Sequence, residues 1–378
     1  MDIHISIIIV NFNTSELLND CLTSISRDPQ TPAHEIIVVD NHSDDTSLAM
    51  LHQHHPSVTV IANPFNAGFA AANNQAIRHA IGRYVWLLNP DTIVMPGCMT
   101  RLMNLLDNHQ EIGAAGPRTW LDTDRTLEVC SLKLLTPALA KAVFTRLPDR
   151  QRTRLLHEAW ERDATMWTAT KPYAIDGIGG AALFTSRSIL EEAGGLDERF
   201  FMGYEDTDLC TFIQQKNRRI VVHPDAEIVH LFGQAKQKPQ APKKHIYAWH
   251  TAPLNYLQKY YGTSAANHFR SLRHIDRLVR RICPSIPPGR SVSSTPDGFR
   301  LAWSKPYPSA CIEWSTDPLF FDKFGRHFSG NTFLFPAPLL NRLDGNRWYW
   351  RVWLTPGGSP TQPIDAGWGI WNKYQDNS

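Results

Sequence analysis

The first 115 residues alternate short, wholly apolar runs with segments of helical periodicity, and this alternation constrains the fold more than any other feature of the chain. A strand covered on one face alternates apolar and polar residues, whereas a parallel strand covered on both faces is apolar throughout. We therefore predict a parallel sheet of βαβ units with helices on both faces. The predicted strands are 5–10, 35–40, 58–62 and 84–88, and helices are predicted after each of the first three.

Short polar side chains follow each predicted strand. They are Asn11, Asp40, Asn63 and, after the fourth strand, Asn89 with Asp91. In open α/β sheets, ligands bind at the carboxyl ends of the strands. A single such residue is most often only a turn former, but four successive strand ends predict a polar cleft.

The glycine-rich fingerprints of nucleotide-binding proteins are missing. Neither GxGxxG nor GxxxxGK[ST] follows the first strand, which disfavours a dehydrogenase and a P-loop enzyme. Without such a loop, a diphosphate needs another counter-charge, and a divalent cation held by a carboxylate is the natural candidate. His52, His54 and His55 lack an acidic residue at ligand spacing, so we do not expect them to bind a metal.

An acidic cluster, Glu205-Asp206-Thr207-Asp208, opens a predicted helix. A helix dipole favours acidic residues at this position without any catalytic role. Adjacent carboxylates also raise one another's proton affinity, which suits a base that deprotonates an attacking hydroxyl. The glycines that follow Asp176 either mark a turn or let a ligand approach the backbone, and we favour the second interpretation.

The composition changes after residue 235. Residues 236–290 carry 11 Lys and Arg against one acidic residue, which predicts an anionic surface as partner. After a Pro- and Ser-rich linker, seven of the twelve tryptophans lie in 303–371, within runs that alternate with period two. We predict an antiparallel β-sandwich there. The predicted divisions are 1–240, a basic helical extension at 241–284, a linker at 285–295 and the sandwich at 296–378.

No run approaches the roughly 20 apolar residues of a membrane span, and the N-terminus lacks the pattern of a signal peptide. The six cysteines are scattered without a CxxC motif, which fits a reducing compartment, so we expect a cytoplasmic protein. Five arginines recur along one side of the basic helix, with apolar residues between them, at positions 270, 273, 277, 280 and 281. They predict either a solvated surface helix or peripheral attachment to the inner face of the cell membrane.

Six segments occur together in a recognisable order: 6–13 (SIIIVNFN), 38–41 (VVDN), 63–69 (NPFNAGF), 87–91 (LLNPD), 194–209 (GGLDERFFMGYEDTDL) and 229–233 (VHLFG). Over roughly residues 4–262 the chain resembles the family 2 glycosyltransferases, in their rhamnosyltransferase-like branch. The resemblance implies an α/β fold of GT-A type, a Rossmann-like mixed sheet with a nucleotide-binding half (1–115) and an acceptor half (116–240). Residues 349–352 give the C-terminal sandwich a looser resemblance to a fibronectin type III module.

The resemblance also implies residue roles. The nucleotide side would be formed by Asn11, Asn13, Asp40, Asn66, Gly68 and Asn89. Mn²⁺ or Mg²⁺ on the diphosphate would be held by Asp91 and His230. The catalytic pair would be Asp206, as the base, and Glu205. The donor or acceptor sugar would be contacted by Asp176, Gly180 and Asp208. The chain departs from the family pattern at Asn89, where the first aspartate of the metal-binding DxD motif is usual, and at Ala235, where a serine is usual.

We therefore expect an inverting, metal-dependent glycosyltransferase. It would move a sugar from dTDP-rhamnose or a UDP-hexose to a saccharide or lipid-linked saccharide acceptor during synthesis of cell-surface polysaccharide or lipopolysaccharide, without a nucleic-acid partner. Two alternatives stay open. A nucleotidyltransferase would need a glycine-rich loop with Lys or Arg after the first strand, and 11–15 supply neither. A non-catalytic carbohydrate-binding protein would use the Trp-rich sandwich but would not turn over a donor.

Overall fold

The computed structural model describes residues 3–129, 134–137, 166–231, 243–282, 294–295, 298–315, 323–336, 339, 347–354 and 364–372. The chain forms two compact units. The first draws on 1–119, 131–137 and 170–268, and the second on 120–130, 138–169 and 269–378.

The described strands, in chain order, are β1 (Ile5–Asn11), β2 (His34–Asp40), β3 (Thr59–Ala62), β4 (Tyr84–Leu88), β5 (Thr92–Val94), β6 (Ile112–Trp120), β7 (Glu128–Val129), β8 (Tyr173–Ala174), β9 (Ala182–Ser186), β10 (Arg219–His230), β11 (Ser294–Thr295), β12 (Gly298–Ser315), β13 (Lys323–Pro336), β14 (Arg347–Leu354) and β15 (Ile364–Asn372). The described helices are α1 (Ser15–Ser26), α2 (Ser47–His54), α3 (Phe69–His79), α4 (Cys98–Asn108), α5 (Arg187–Ala193), α6 (Glu205–Gln215) and α7 (Lys243–Ile282).

A mixed sheet forms the centre of the first unit. Strands β3, β2, β1 and β4 are parallel neighbours in that order. Strand β9 then runs antiparallel to β4, and β6 runs antiparallel to β9. The register places Asn11 beside Asp40 and Leu88 beside Ala182. The predicted mixed α/β sheet is confirmed, and its polar strand ends share one edge.

Strand β1 shows why the predicted strands are apolar throughout. Ile7 and Ile9 pack into one core, with residues of α1 and α4. Ile8 and Val10 point the other way into a second core, with residues of α3 and α5. Successive residues of a strand point to opposite faces, so a sheet covered on both faces needs an apolar side chain at every position.

Strand β10 crosses the first unit and positions one end of the site. Its twelve residues pair antiparallel with β8, through Val221 and Ala174, and then with β5, through His230 and Thr92. Strand β5 has only three residues, which is too short for a periodic pattern to predict it. This pairing brings the residue that ends β10 next to the turn that follows β4.

The second unit contains an antiparallel sheet in the order β13-β12-β14-β15. Its core includes the buried rings of Trp314 and Trp350. The predicted all-β segment is confirmed, and both of these tryptophans are core residues; the resemblance to fibronectin type III stays a prediction. Residues 120–172 have no clear strand pattern in the sequence, yet Glu128–Val129 form β7, which pairs with β13.

Helix α7 spans Lys243–Ile282 and is interrupted at Gly262, where φ is +83° and ψ is 170°. Before that break, Tyr256 and Leu257 are fully buried, so this part of the helix packs on the first unit. None of the helices within the described ranges has both the length and the apolar character to cross a membrane.

Candidate active site

The ends of β1 and β2 form one hydrogen-bonded group. Nδ2 of Asn11 donates to Oδ1 of Asp40 at 2.8 Å and lies 3.1 Å from Oγ of Ser43. The other carboxylate oxygen of Asp40 accepts the Ser43 amide at 2.9 Å. Both Asn11 and Asp40 are buried. Asn13 has a left-handed backbone (φ +58°) and accepts the Asp44 amide at 2.8 Å, so it braces the same turn.

Asn41 links the second and third strand ends, and sequence analysis did not single it out. Its Nδ2 donates to Oδ1 of Asn66 at 2.9 Å and to the carbonyl of Gly68 at 3.2 Å. Its Oδ1 accepts the side chain of Asn63 at 3.1 Å and the Ala67 amide at 2.9 Å. All four capacities of one buried amide are used, so Asn41 fixes the loop between β3 and α3.

Gly68 lies where this loop meets the segment before α6. Its φ is +91° with ψ of 170°, a region that is essentially restricted to glycine. A Cβ atom added there would lie 2.6 Å from the carbonyl oxygen of Phe201. That carbonyl accepts the Phe69 amide at 2.7 Å, so the close approach is part of a backbone contact.

We expect Gly68→Ala to lower the free energy of unfolding by more than the roughly 1–3 kcal/mol of backbone strain alone. The added methyl group meets backbone that cannot move away without breaking the Phe69–Phe201 contact. Gly262→Ala is the matched control, since Gly262 has nearly the same backbone angles (φ +83°, ψ 170°) but no atom within 4 Å of the added Cβ. Denaturant unfolding of both variants measures the difference in the free energy of unfolding. Equal decreases in both variants would show that the backbone at Phe201 moves away from the added methyl group at little cost.

The turn after β4 and the end of β10 bring three further polar groups together. Nε2 of His230 lies 3.0 Å from Oδ1 of Asp91, and both side chains are buried. The Leu231 amide donates to the Asp91 carbonyl at 2.9 Å, which locks the two segments together. Two residues before Asp91, Oδ1 of Asn89 is buried without a hydrogen-bond partner.

The carboxylate of Asp91 and the amide oxygen of Asn89 are donors that suit a hard divalent cation, and the imidazole of His230 lies against that carboxylate. The amide oxygen of Asn89 is the observation that most favours a bound cation. A buried acceptor without a donor costs free energy unless a ligand or ion binds it. No group of three or more His, Cys, Asp or Glu side chains with metal-binding geometry occurs among the described residues. A cation here would therefore need oxygens from its ligand as well, as is usual for Mg²⁺ on a diphosphate.

The acidic cluster forms the first turn of α6, next to the start of β9. Oδ2 of Asp206 accepts the amide of Gly180 at 2.8 Å, and Oδ1 accepts the amide of Thr207 at 2.6 Å. Asp206 is partly exposed, and a Cβ on Gly179 would lie 3.8 Å from its carboxylate. Burial raises the pKa of Asp206, while these hydrogen bonds oppose the increase.

Glu205 differs sharply from its neighbour. It is buried, and its Oε2 has no hydrogen-bond partner. Burial, together with the charge of Asp206, raises the pKa of Glu205 well above its usual range. The two adjacent carboxyl groups thus have different environments: Glu205 is buried and favours the protonated form, whereas Asp206 is partly exposed.

The third carboxylate of the cluster, Asp208, is bound by α7. Nζ of Lys259 lies 2.6 Å from its Oδ1, and the hydroxyl of Tyr260 donates to the same oxygen at 2.9 Å. These contacts differ from the sugar contact that the resemblance implies for Asp208. Sequence analysis missed Lys259 and Tyr260, because they lie far along the chain within a stretch noted only for its positive charge.

The other predicted residues have different surroundings. The backbone carbonyl of Asp176 accepts a hydrogen bond from the side chain of Gln214 at 2.9 Å, so α6 holds the turn that leads to Gly180.

His55, one of the three histidines not expected to bind a metal, has Nε2 3.0 Å from the side-chain oxygen of Asn19, and burial lowers the pKa of His55. A cleft of about 710 Å³ lies at the opposite end of the sheet, and its lining includes Ile3, Tyr84 and Ile112 but none of the predicted site residues.

Comparison with known protein families gives a match for the N-terminal part of the chain. The profile of the family described as "Glycosyl transferase family 2" matches residues 6–156. That range includes Asn11, Asp40, Gly68 and Asp91. Residues 6–156 thus resemble the family 2 glycosyltransferases, and the prediction of a glycosyltransferase enzyme is confirmed.

The chain is also similar to several individual glycosyltransferases. The chain is 24% identical over 262 residues to the N-acetylglucosaminyl-diphospho-decaprenol L-rhamnosyltransferase of Mycobacterium tuberculosis, covering 66% of this chain and 83% of the relative. It is 32% identical over 111 residues to the poly(ribitol-phosphate) beta-glucosyltransferase of Bacillus spizizenii, covering 28% and 18%. A mannosyltransferase from Pyrobaculum calidifontis, solved in complex with GDP-Man and Mn²⁺, superimposes with a TM-score of 0.43 at 19% identity, over 75% of this chain and 76% of that one.

Proposed function

We propose that the protein transfers a sugar from a nucleoside-diphosphate sugar to a saccharide acceptor, with inversion at the anomeric carbon. The observation that carries this proposal is the environment of Asp206. Its carboxylate is oriented by Gly180 and Thr207, is partly exposed, and has a pKa raised by burial. An oriented carboxylate with raised proton affinity is suited to accept a proton from a hydroxyl group.

Each strand end has a part in this reaction. Asn11 and Asp40 bind the base or ribose of the donor, with Asn13 holding their turn. Asn41 keeps Asn66 and Gly68 in place on the nucleotide side. At Gly180, beside Asp206, an added Cβ would lie 3.2 Å from the ring of Phe69, so this crowded position favours glycine. Asp206 then takes the proton of the acceptor hydroxyl as its oxygen attacks the anomeric carbon and the diphosphate leaves.

Asp91 and His230, together with the amide oxygen of Asn89, are the residues that would hold Mn²⁺ or Mg²⁺. The orphaned Oδ1 of Asn89 supports this assignment. When bound, such a cation supplies positive charge for the leaving diphosphate. The protein's own contribution is the rigid placement of the donors, because β5 and β10 pair directly beside them.

The relatives guide the choice of substrates. The mycobacterial protein is described as a rhamnosyltransferase that acts on a decaprenol-linked N-acetylglucosaminyl diphosphate. We take dTDP-rhamnose as the first donor to test and UDP-hexoses as the second, with a lipid-linked saccharide of a cell-surface polysaccharide or lipopolysaccharide as the acceptor. The enzyme would then work in the cytoplasm.

Thermal-shift screening of nucleoside-diphosphate sugars, with Mn²⁺ and with EDTA, tests the proposal. A ligand that binds only the folded state raises its midpoint. We expect one donor to raise the midpoint only with the cation, and the same donor to be consumed when a saccharide acceptor is added. Saccharide binding without donor binding or turnover would instead indicate a non-catalytic carbohydrate-binding protein.

The basic helix gives a further prediction, that the protein attaches to anionic membranes. Arg270 is exposed beside the buried Leu272, whereas the side chains of residues 273, 277, 280 and 281 lie outside the described ones. Each basic residue near an anionic bilayer contributes roughly 1 kcal/mol, and this contribution weakens with salt. We expect the wild type to sediment with anionic liposomes at low salt only, and a variant with Gln at all five arginines to stay in solution.

Neutral liposomes are the matched control, because they remove the charge of the surface and leave its area unchanged. Equal sedimentation of the wild type and the variant with anionic liposomes, or sedimentation of neither at low salt, would contradict attachment through this helix.

A further inference from the structure

One ammonium group bridges the catalytic segment to α7. Nζ of Lys259 lies 2.6 Å from Oδ1 of Asp208, within the first turn of α6. The same nitrogen lies 2.8 Å from Oδ2 of Asp197, in the loop that leads to that turn. Asp197 also forms an ion pair with Arg199 at 2.5 Å. Lys259 therefore connects the two ends of the segment that contains the proposed base, Asp206.

Aromatic side chains of α7 reinforce this bridge. Tyr260 donates its hydroxyl to Asp208 at 2.9 Å, and burial, together with the charge of Asp208, raises the pKa of Tyr260, so the hydroxyl keeps its proton. Tyr256 is fully buried and lies 2.8 Å from the hydroxyl of Thr211 on α6. The ring centroid of Tyr256 is 5.6 Å from that of Tyr204, the residue that precedes Glu205. Helix α7 thus grips α6 at several points along one side.

The charges of the first turn explain why such a bridge matters. The turn holds three carboxyl groups, Glu205, Asp206 and Asp208. The N-terminus of a helix offsets only part of such a charge. Glu205 favours its protonated form, and Asp208 is paired with Lys259. Asp206 is left as the partly exposed carboxylate without an ion pair to Lys259.

We propose that Lys259 is a positioning residue for sugar transfer, an inference that rests on the proposed role of Asp206 as the base. By bridging Asp197 and Asp208, it fixes the orientation of the first turn of α6. Together with the more distant charge of Arg199, it also offsets the charge of Asp208 two residues from the base.

The groups around Asp206 define what a change at Lys259 does. On its own helix, Glu205 and Cys210 interact electrostatically with Asp206, Asp208 lies two positions further along the same turn, and the turn before β9 presents the Gly180 amide. From α7, Lys259 and Tyr260 contact Asp208 and not Asp206. Loss of Lys259 therefore acts through Asp208: like charge nearby raises the pKa of Asp206, and the turn is released.

The test compares Lys259→Met, Lys259→Arg and a control, Lys216→Met, in the full chain. Lys216 forms an equally short ion pair, 2.6 Å to Glu192, but both side chains are about half exposed on the surface. For Lys259→Met we expect kcat of transfer to fall about 10-fold or more, while KM for the donor changes less than about threefold. The acid limb of its kcat–pH profile moves to higher pH. Lys259→Arg restores most of kcat, and Lys216→Met behaves as the wild type.

Two results would overturn the inference. One is wild-type kcat and an unmoved acid limb in Lys259→Met. The other is a loss of kcat with the acid limb unmoved and no rescue by arginine, which is the behaviour of a purely structural contact. If Lys259→Met fails to fold, Tyr260→Phe replaces it, because it removes one hydroxyl from the same carboxylate. We then expect a smaller change in the same direction, roughly two- to fivefold in kcat, and no change would overturn the inference.

Asp206→Asn separates this inference from the proposed function. If that variant transfers sugar normally, the base is wrongly assigned, whatever Lys259 does. If it is inactive while Lys259→Met is unaffected, only the positioning role of Lys259 is lost.

Discussion

We expect Asp206→Asn to reduce sugar transfer by ~10²-fold or more and to leave donor binding nearly unchanged, because it removes the proposed base and not a binding group. The amide is close in size to the carboxylate and keeps one acceptor oxygen for the Gly180 or the Thr207 amide, which lie 2.8 Å and 2.6 Å from the carboxylate. It cannot accept the proton of the acceptor hydroxyl. Initial rates of transfer and calorimetric titration with the donor measure the two effects separately.

The pH dependence of the wild type tests the same residue. Burial raises the pKa of Asp206, so the acid limb of the kcat profile lies above the ordinary aspartate value of about 3.9. Below that limb the carboxyl is protonated and cannot act as a base, so activity falls as the pH falls. Rates at saturating donor and acceptor across the acid range locate the limb.

Glu205→Gln is the matched control for Asp206→Asn. Glutamine resembles a protonated glutamate in shape, and the buried Glu205 favours the protonated form already. We therefore expect near-normal turnover of this variant. If Glu205→Gln abolished transfer while Asp206→Asn kept it, the base would be Glu205, and the roles of the two carboxyl groups would be reversed.

The strands of the parallel sheet could be predicted closely from the sequence. A strand was predicted at 84–88 and is observed at Tyr84–Leu88, and that predicted at 35–40 is observed at His34–Asp40. The reason is that both faces of these strands are buried in separate cores, which demands an unbroken apolar run. The short strands β5 and β7 could not be predicted, since two or three residues carry no period.

The polar strand ends were predicted to lie together, and Asn11 and Asp40 do so, because their strands are adjacent and parallel. The four hydrogen bonds of the Asn41 side chain were not predicted. The sequence does not distinguish an asparagine that starts a turn from one that makes four hydrogen bonds. The partners of Asn41, such as Asn63 and Ala67, come near it only when the chain folds.

Contacts between distant segments were beyond prediction from spacing alone. Asp91 and His230 are 139 positions apart, and only the family resemblance placed both near a metal. In the sequence, Lys259 is only one of the basic residues of 236–290. The net charge of a segment predicts the charge of a surface, but it does not identify the partner of one side chain. Its actual partners, Asp197 and Asp208, belong to the loop and helix that carry the acidic cluster.

We expect Asp91→Ala to abolish the part of donor binding that depends on a divalent cation. Among the proposed cation-binding side chains, Asp91 supplies the carboxylate, with His230 at 3.0 Å and the orphaned amide oxygen of Asn89 nearby in the chain. Since the position usual for the first aspartate of the DxD motif holds Asn89, no second acid there can compensate. Changing even an outer-shell partner of a metal costs about 10- to 100-fold in metal affinity, so we expect a loss of at least 10²-fold with Mn²⁺.

Calorimetric titration of the donor, with Mn²⁺ and with EDTA, measures this effect. In EDTA, the wild type and Asp91→Ala should bind the donor equally weakly, because the change leaves Asn11 and Asp40, the proposed nucleoside-binding residues, in place. Asp225→Ala, at an exposed acid on β10, is the matched control and should keep the Mn²⁺ response. Asp91→Asn guards against misfolding, because its amide can still bond His230 while the charge is gone. Unchanged Mn²⁺-dependent binding in both variants at Asp91 would remove this residue from the cation site, and the diphosphate would then need a counter-charge from elsewhere in the protein.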